Sequence, residues 1–347
     1  MHVSDILKEL NPQQKEAVTT TEGQLLIIAG AGTGKTTVIA RRIAYIIEKK
    51  LAKPAEILAL TFTDKASEEM DRRVDILVPY GFNDTWISTF HAFGDRVLRD
   101  NALEIGLNPV FRVLTKPEQI LFIKQNLFDF DLKYFKPLSN PYKFVEAALS
   151  LVSRAKDEDL TPDQYMTYAK SLKDKEEHQL QLELANFFAK YEELKRKAGL
   201  ADFSDQINLV LDLFRERSKV LETYQNKFRY ILIDEYQDTN YAQNELVKLL
   251  AAKHKNICVV GDDDQSIYKF RGAAISNIME FKKTYPKAVQ VVLTKNYRST
   301  QAILDTAYKL ISHNNPDRLE IKNNINKKLI SERKALGQKP KVIFGAT

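Results

Sequence analysis

Apolar positions along the chain fall into two regimes. In the first, short unbroken apolar runs sit between polar or turn residues: Leu25–Ala29, Ile57–Phe62, Trp86–Thr89, Tyr230–Ile233, Ile257–Val260 and Val289–Leu293. Runs without polar alternation predict strands buried on both faces. Helical spacing follows most of them: Val38, Ile39, Ile43, Ile46 and Ile47 stripe Thr36–Lys49, and Ala242–Lys253 carries a second stripe. Strand–helix alternation of this kind predicts a parallel sheet covered by helices. In the second regime, from about Ala92 to Arg217, strand runs nearly vanish. Long helical stretches such as Lys116–Phe128 and Glu176–Ala198 replace them, punctuated by Pro137, Pro141 and Pro162. This pattern predicts a helical domain inserted between strands of one α/β domain. Beyond about Gln290 the chain is expected to begin something new, with strands at Val289–Leu293 and Lys341–Phe344 around a helix at Thr300–Ser312. No tandem repeat or low-complexity segment interrupts these patterns.

Composition narrows the class. The 347 residues are 44% apolar and 28% charged, which excludes a mainly disordered chain and allows two to three units of about 100–200 residues each. No apolar run approaches the roughly 20 residues of a membrane-spanning helix, and the first residues lack the apolar stretch of a secretory signal. A single cysteine, Cys258, excludes an internal disulfide and a cysteine-based zinc cage. The five histidines (His2, His91, His178, His254, His313) show no ligand spacing, so zinc, haem and flavin chemistry gain no support. The expectation is a soluble, cytoplasmic protein with no membrane partner. The net charge of +6 adds little, because residues 291–347 hold 11 Lys and Arg against four Asp and Glu and thus account for all of it. The many acids and bases of the helical middle read as a solvated face.

Two segments carry chemistry. The run Leu25–Ala29 leads into Ala29-Gly30-Ala31-Gly32-Thr33-Gly34-Lys35-Thr36-Thr37 and then a helix. This matches the nucleotide phosphate loop, with Ala29 in the place of the usual first glycine. Glycines let backbone N–H groups converge on phosphate oxygens, and the following helix turns its N-terminus to negative charge. Lys35 would reach the β- and γ-phosphates and Thr36 would ligate Mg²⁺. The second segment is the apolar run Tyr230–Ile233, which ends in Asp234 and Glu235. Adjacent residues of a strand point to opposite faces, so two neighbouring carboxylates can serve different roles: Asp234 to hold Mg²⁺, Glu235 to polarise the attacking water.

The surrounding residues carry a resemblance. Asp234-Glu235-Tyr236-Gln237-Asp238-Thr239-Asn240 resembles motif II of superfamily 1 DNA helicases of the UvrD/Rep type, and Val260–Ala273 (VGDDDQSIYKFRGA) resembles their motif III. Leu10–Val18 is similar to the Q motif, Thr61–Ala66 to motif Ia, Ser88–His91 to motif Ib and Asn296-Tyr297-Arg298-Ser299 to motif IV, all in the family's order. The helical middle contributes only Asp202-Phe203-Ser204-Asp205. The resemblance implies ATP and Mg²⁺ as cofactors, single-stranded DNA and single-strand/duplex junctions as partners, and 3′→5′ helicase or translocase activity. It implies that Gln14 reads the adenine edge, Tyr297 stacks on the base, Gln265 senses the γ-phosphate and Arg298 forks onto it. Phe62, Thr63, His91, Tyr268, Phe270 and Arg271 become the DNA-facing set, since aromatic stacking tolerates any base sequence. Three positions depart from the usual pattern: Asp64 for Asn, Phe270 for Trp and Thr37 for Arg.

The implied fold is a RecA-like α/β motor domain formed by residues 1–90 and 216–290, an inserted all-helical domain at 91–215, and the start of a second RecA-like domain at 291–347. Motifs V and VI, which that second domain carries in the family, find no match. The sequence therefore reads as the N-terminal portion of a longer helicase, binding ATP–Mg²⁺ and hydrolysing it poorly alone. Two alternatives remain at this point: the motor part of a helicase–nuclease subunit, and a non-motor ATP-dependent binding module.

Overall fold

The computed structural model describes residues 3–78, 84–135, 139–140, 142–267, 274–333, 337–338 and 340–341. By their contacts they divide into two units, one of residues 1–89, 224–239 and 250–347, the other of 90–223 and 240–249.

The first unit is built on the six apolar runs. These form β1 (Gln24–Ala29), β2 (Ile57–Thr61), β3 (Trp86–Thr89), β6 (Tyr230–Ile233), β7 (Ile257–Gly261) and β8 (Val289–Leu293). Their order in the sheet is β3-β2-β6-β7-β1-β8, and every pairing is parallel. The absence of alternation is explained by burial: all of β2 and β6, and β1 from Leu25 to Ala29, are closed off from water. The stripe on the helix Lys35–Glu48 supplies one cover, with Val38, Ile39, Ile43 and Ile46 packed against Leu25, Ile27, Leu232 and Val260. Cys258 is part of this core. One polar residue of that helix is also buried: Arg42 donates to the carbonyls of Ala17 (2.8 Å) and Thr21 (3.1 Å) and so fastens the helix to the N-terminal segment.

Because all six strands run one way, the segments after them emerge along one edge of the sheet. Ligands in open parallel sheets bind outside the carboxyl ends of the strands. The segments singled out in the sequence follow β1, β2, β3, β6, β7 and β8, and β7 sits directly between β6 and β1.

Three expected boundaries shift. Residues 216–223, expected with the sheet, group with the helical unit. The division at 290/291 falls inside β8, whose residues Val289–Leu293 pair with Leu25–Ala29 of β1. An apolar run reveals a strand but not its partner, and here the partner is the first sheet. Residues 240–249, expected with the sheet, group with the helical unit instead, where the Asn240 side chain donates to Asp157 at 2.8 Å. Downstream, Lys295–Asn296 (β9) and Ile330–Ser331 (β10) make a short parallel pair flanking the helix Gln301–Ile311. The strand expected at Lys341–Phe344 lies outside the described residues apart from Lys341.

Among the described residues the second unit is helical, with one short parallel pair between β4 (Arg112–Leu114) and β5 (Leu200–Asp202). Its apolar centre combines Ile123, Val145, Leu149, Val152, Phe187 and Tyr191. Gly94 lets two helices touch: a methyl group there would lie 2.1 Å from the Gln206 carbonyl oxygen. The charges of this unit are not all solvated as the sequence implied. Lys156, Lys195, Asp202 and Asp205 are buried together. Lys195 Nζ reaches Asp202 and Asp205 at 2.6 Å each and Glu192 at 2.9 Å, while Lys156 Nζ meets the same three acids. Burial alone would lower the lysine pKa values, but the surrounding carboxylates raise both, and the two ammonium groups hold Asp202 well below the usual carboxylate range. Among the described residues, no helix is long and apolar enough to cross a membrane.

Candidate active site

The loop after β1 needs two left-handed residues, and glycine supplies both: Gly32 at φ +79° and Gly34 at φ +89°. Thr33 closes the turn through its hydroxyl on the Gly30 carbonyl at 2.8 Å. The helix then starts at Lys35.

From there a closed circuit of polar contacts runs through three segments. Lys35 Nζ bonds Glu235 Oε2 at 2.8 Å and Gln265 Oε1 at 3.2 Å. Gln237 Nε2 donates to the same Glu235 oxygen at 2.8 Å, and its Oε1 accepts from the Asp262 backbone N–H at 3.0 Å. Asp262 Oδ2 accepts from Gln265 Nε2 at 2.7 Å, which closes the ring. Gly261 makes room for it, since a methyl there would lie 2.6 Å from Gln237 Oε1. Glu235 itself holds φ +48°, an uncommon conformation for a residue with a side chain, and such residues concentrate at functional sites. Gln237 was given no role of its own in the sequence, although it lies within the segment that resembles motif II.

Two acids beside Glu235 titrate abnormally. Burial, and then the charge of Glu235, push Asp234 up to about 7. The same two causes, in the same order, push Asp238 up to about 6. Buried carboxylates gathered beside a third one are a donor set that suits a hard dication. Asp234 and the Thr36 hydroxyl are the residues that would hold one.

A cleft of about 260 Å³ opens along the loop, lined by Gly34, Lys35, Thr36, Arg73, Glu235 and Arg298 among others. Arg298 is exposed here because of Asn296, which is fully buried. The Asn296 amide donates to the Ala31 carbonyl at 2.6 Å, and its oxygen accepts from the backbone N–H groups of Arg298 and Ser299 at 2.9 and 2.7 Å. Gly32 is packed under this turn; a methyl on it would lie 2.6 Å from Arg298 Cβ. Arg73 was not foreseen. It reaches from the helix Asp64–Leu77 to donate to Thr37 Oγ1 at 2.9 Å, and it pairs with Glu69 at 2.5 Å. A guanidinium thus lines the cleft beside Thr37, the residue that departs from the Arg of the resembling pattern.

Gln14 has two duties. It completes a capping box with Asn11 at the start of the helix Pro12–Thr19, and its Nε2 donates to the Thr33 carbonyl at 3.0 Å. One amide hydrogen and one lone pair remain for a ligand. Tyr297, half exposed, accepts from Asn11 Nδ2 at 2.9 Å through its hydroxyl, and its backbone N–H donates to the Gly32 carbonyl at 2.9 Å.

Of the DNA-facing set, Phe62 is part-buried and lines a second cleft, of about 550 Å³, that also reaches Glu235, Asp238 and Gln265. Thr63 is the N-cap of the helix Asp64–Leu77, accepting from the Ala66 N–H at 3.2 Å. Asp64 falls in that helix's first turn, where a negative charge is favourable. In the helical unit, His91 packs edge-on against Phe203 with ring centroids 5.6 Å apart. Phe203 is half exposed although apolar. The reciprocal bonds between Asp202 and Asp205 (Asp202 N to Asp205 Oδ2, 2.7 Å; Asp205 N to Asp202 Oδ1, 3.0 Å) fix the turn that presents it. Tyr268, Phe270 and Arg271 lie outside the described residues.

Comparison with known proteins supplies the family. Residues 10–286 match the UvrD/REP helicase N-terminal domain. The chain belongs to the UvrD/REP helicase family. It is 44% identical over 313 residues to the ATP-dependent DNA helicase PcrA of Bacillus subtilis, covering 90% of this chain and 40% of that protein. With the PcrA of Staphylococcus aureus it shares 44% identity over 311 residues, 89% of this chain and 40% of the relative. The chain therefore spans about two fifths of the length of the relatives it matches. The matched residues 10–286 include all of the helical unit and the part of the sheet unit that precedes β8, apart from residues 1–9 and 287–288.

Proposed function

We propose that this chain is the ATP-binding motor portion of a DNA helicase that couples ATP hydrolysis to 3′→5′ movement along single-stranded DNA. In this reading the sheet unit is the first motor domain, the helical unit its insertion, and the residues after β8 lead towards a second motor domain. The observation that carries it is the closed circuit Lys35–Glu235–Gln237–Asp262–Gln265, which ties the phosphate loop, the acidic strand end and the segment after β7 into one unit.

The proposed chemistry uses these side chains as placed. The loop from Ala29 to Thr37 would wrap the phosphates with its backbone N–H groups, and Lys35 would leave Glu235 for the β- and γ-phosphates. Released from that ion pair, Glu235 would polarise the attacking water. Thr36 and Asp234 would hold magnesium, which would supply neutralising charge for the phosphates. Gln265 would sense the γ-phosphate; Arg298 would fork onto it, with Arg73 a second cation on the same cleft. Gln14 and Tyr297 would hold the base. For DNA, Phe62 in the sheet unit and, separately, the His91–Phe203 pair in the helical unit would offer ring faces to bases, each stack contributing about 1–3 kcal/mol. These 347 residues alone would hydrolyse ATP slowly, Arg298 being the single arginine that the resemblance places at the γ-phosphate.

The direct test is phosphate release with and without a thymidine oligonucleotide. The expected outcome is slow release that DNA accelerates, with oligonucleotide affinity that differs between ADP and a non-hydrolysable ATP analogue. A chain that binds no single-stranded DNA under either nucleotide would contradict the reading.

A further inference from the structure

The three consecutive acids Asp262, Asp263 and Asp264 bring carboxylate oxygens within 4.8 Å of one another. Two cations from a later segment close over them. Lys327 Nζ lies 2.6 Å from Asp262 Oδ1 and 2.9 Å from Asp264 Oδ2, and it also bonds Asp263. Arg318 forks onto Asp264 at 2.7 and 2.6 Å. The Leu319 N–H donates to Asp263 Oδ2 at 2.8 Å, and Glu320 joins Arg318 (2.8 Å) to the Lys327 backbone N–H (3.0 Å). Both cationic side chains are almost fully buried. Neither belongs to a segment that the sequence singled out.

The consequence concerns Gln265. A carboxylate only accepts hydrogen bonds, so Asp262 Oδ2 dictates which way the Gln265 amide faces: Nε2 towards Asp262, Oε1 towards Lys35. The other oxygen of the same carboxylate is held by Lys327. Without the ammonium, three acids would share one dry pocket, and mutual repulsion would turn the Asp262 carboxylate away. The segment that carries Lys327 also touches the far side of the cleft. Leu329 packs on Gly30, β10 pairs with β9, and the Arg333 guanidinium donates to the Arg298 carbonyl at 3.0 Å.

We propose that Lys327, assisted by Arg318, is a positioning residue for Gln265: acting through Asp262, it aims the amide at the phosphate site and links its state to the segment that supports Arg298. This rests on the nucleotide-site reading above.

The test is discrimination between ADP and a non-hydrolysable ATP analogue, measured by equilibrium titration with Mg²⁺ on the 347-residue chain. Gln265→Ala should cut the preference for the triphosphate by about tenfold, the scale of one hydrogen bond to a charged group. Lys327→Met should cut it equally while ADP affinity stays within about twofold, and the double variant should be no worse than either single one. Arg318→Gln, which leaves Lys327 in place, should show a smaller loss of the same kind; it stands in if Lys327→Met fails to fold. Additive losses, or a parallel fall in ADP affinity, would overturn the positioning role. So would retained discrimination in Lys327→Met beside a clear loss in Gln265→Ala. Indifference of the wild-type chain to both nucleotides would instead remove the nucleotide-site reading and the positioning role with it.

Discussion

Glu235→Gln should lower ATP turnover by a factor of about 10²–10⁴, the usual span for a general base, and leave nucleotide affinity within a few-fold. The amide has the shape of the carboxylate and can still accept from Lys35 and Gln237, which hold Glu235 at 2.8 Å each. It cannot take up a proton or polarise water to the same degree. The left-handed backbone at Glu235 suits glutamine no worse, so the loop should keep its course. Single-turnover phosphate release, set beside a binding titration, separates the two quantities. Equal loss of both would mean that Glu235 serves only as a partner for Lys35.

Lys195→Met should destabilise the helical unit by about 3–5 kcal/mol, the cost of removing one member of a buried ionic network. Lys195 is 1% exposed and contacts three acids at 2.6–2.9 Å. Its loss leaves Asp202, Asp205 and Glu192 with Lys156 as the remaining ammonium of the group. Because these acids also fix the turn that presents Phe203, the variant should loosen that exposed ring even below the unfolding transition. Urea unfolding measures the first effect and oligonucleotide affinity the second. A midpoint change equivalent to less than about 1 kcal/mol, the median worth of a surface pair, would show that water reaches the cluster.

These two residues differ in how visible they were beforehand. Glu235 stands out because an apolar run ends in it, and a strand buried on both faces leaves a plain signature in sequence. The phosphate loop is visible for a related reason, since left-handed turns confine Gly32 and Gly34 to glycine. Lys195, by contrast, lies near the end of a long charged helix, Lys175–Lys197, that reads as solvated. Nothing local shows that Asp202 and Asp205 fold back onto it. The same limit hid Arg73 and Lys327, whose significance depends on partners 36 and 65 residues away. Strand membership was similarly opaque at β8, where the run was evident and its pairing with β1 was not. The basic excess after residue 290 also changes meaning. Lys327 and Arg318 contribute to it, yet both are consumed by acids inside the protein and are not available to a polyanion.

All of this rests on the claim that the loop Ala29–Thr37 and the strand end Asp234–Glu235 form one Mg²⁺–ATP site. Titration of a fluorescent ATP analogue into the wild-type chain and into Lys35→Ala, each with and without Mg²⁺, tests that claim most directly. The expected result is saturable binding that requires Mg²⁺ and weakens by about tenfold or more without the lysine, the scale of a lost charge-assisted contact. Equal affinity in the two proteins, or binding indifferent to Mg²⁺, would contradict it.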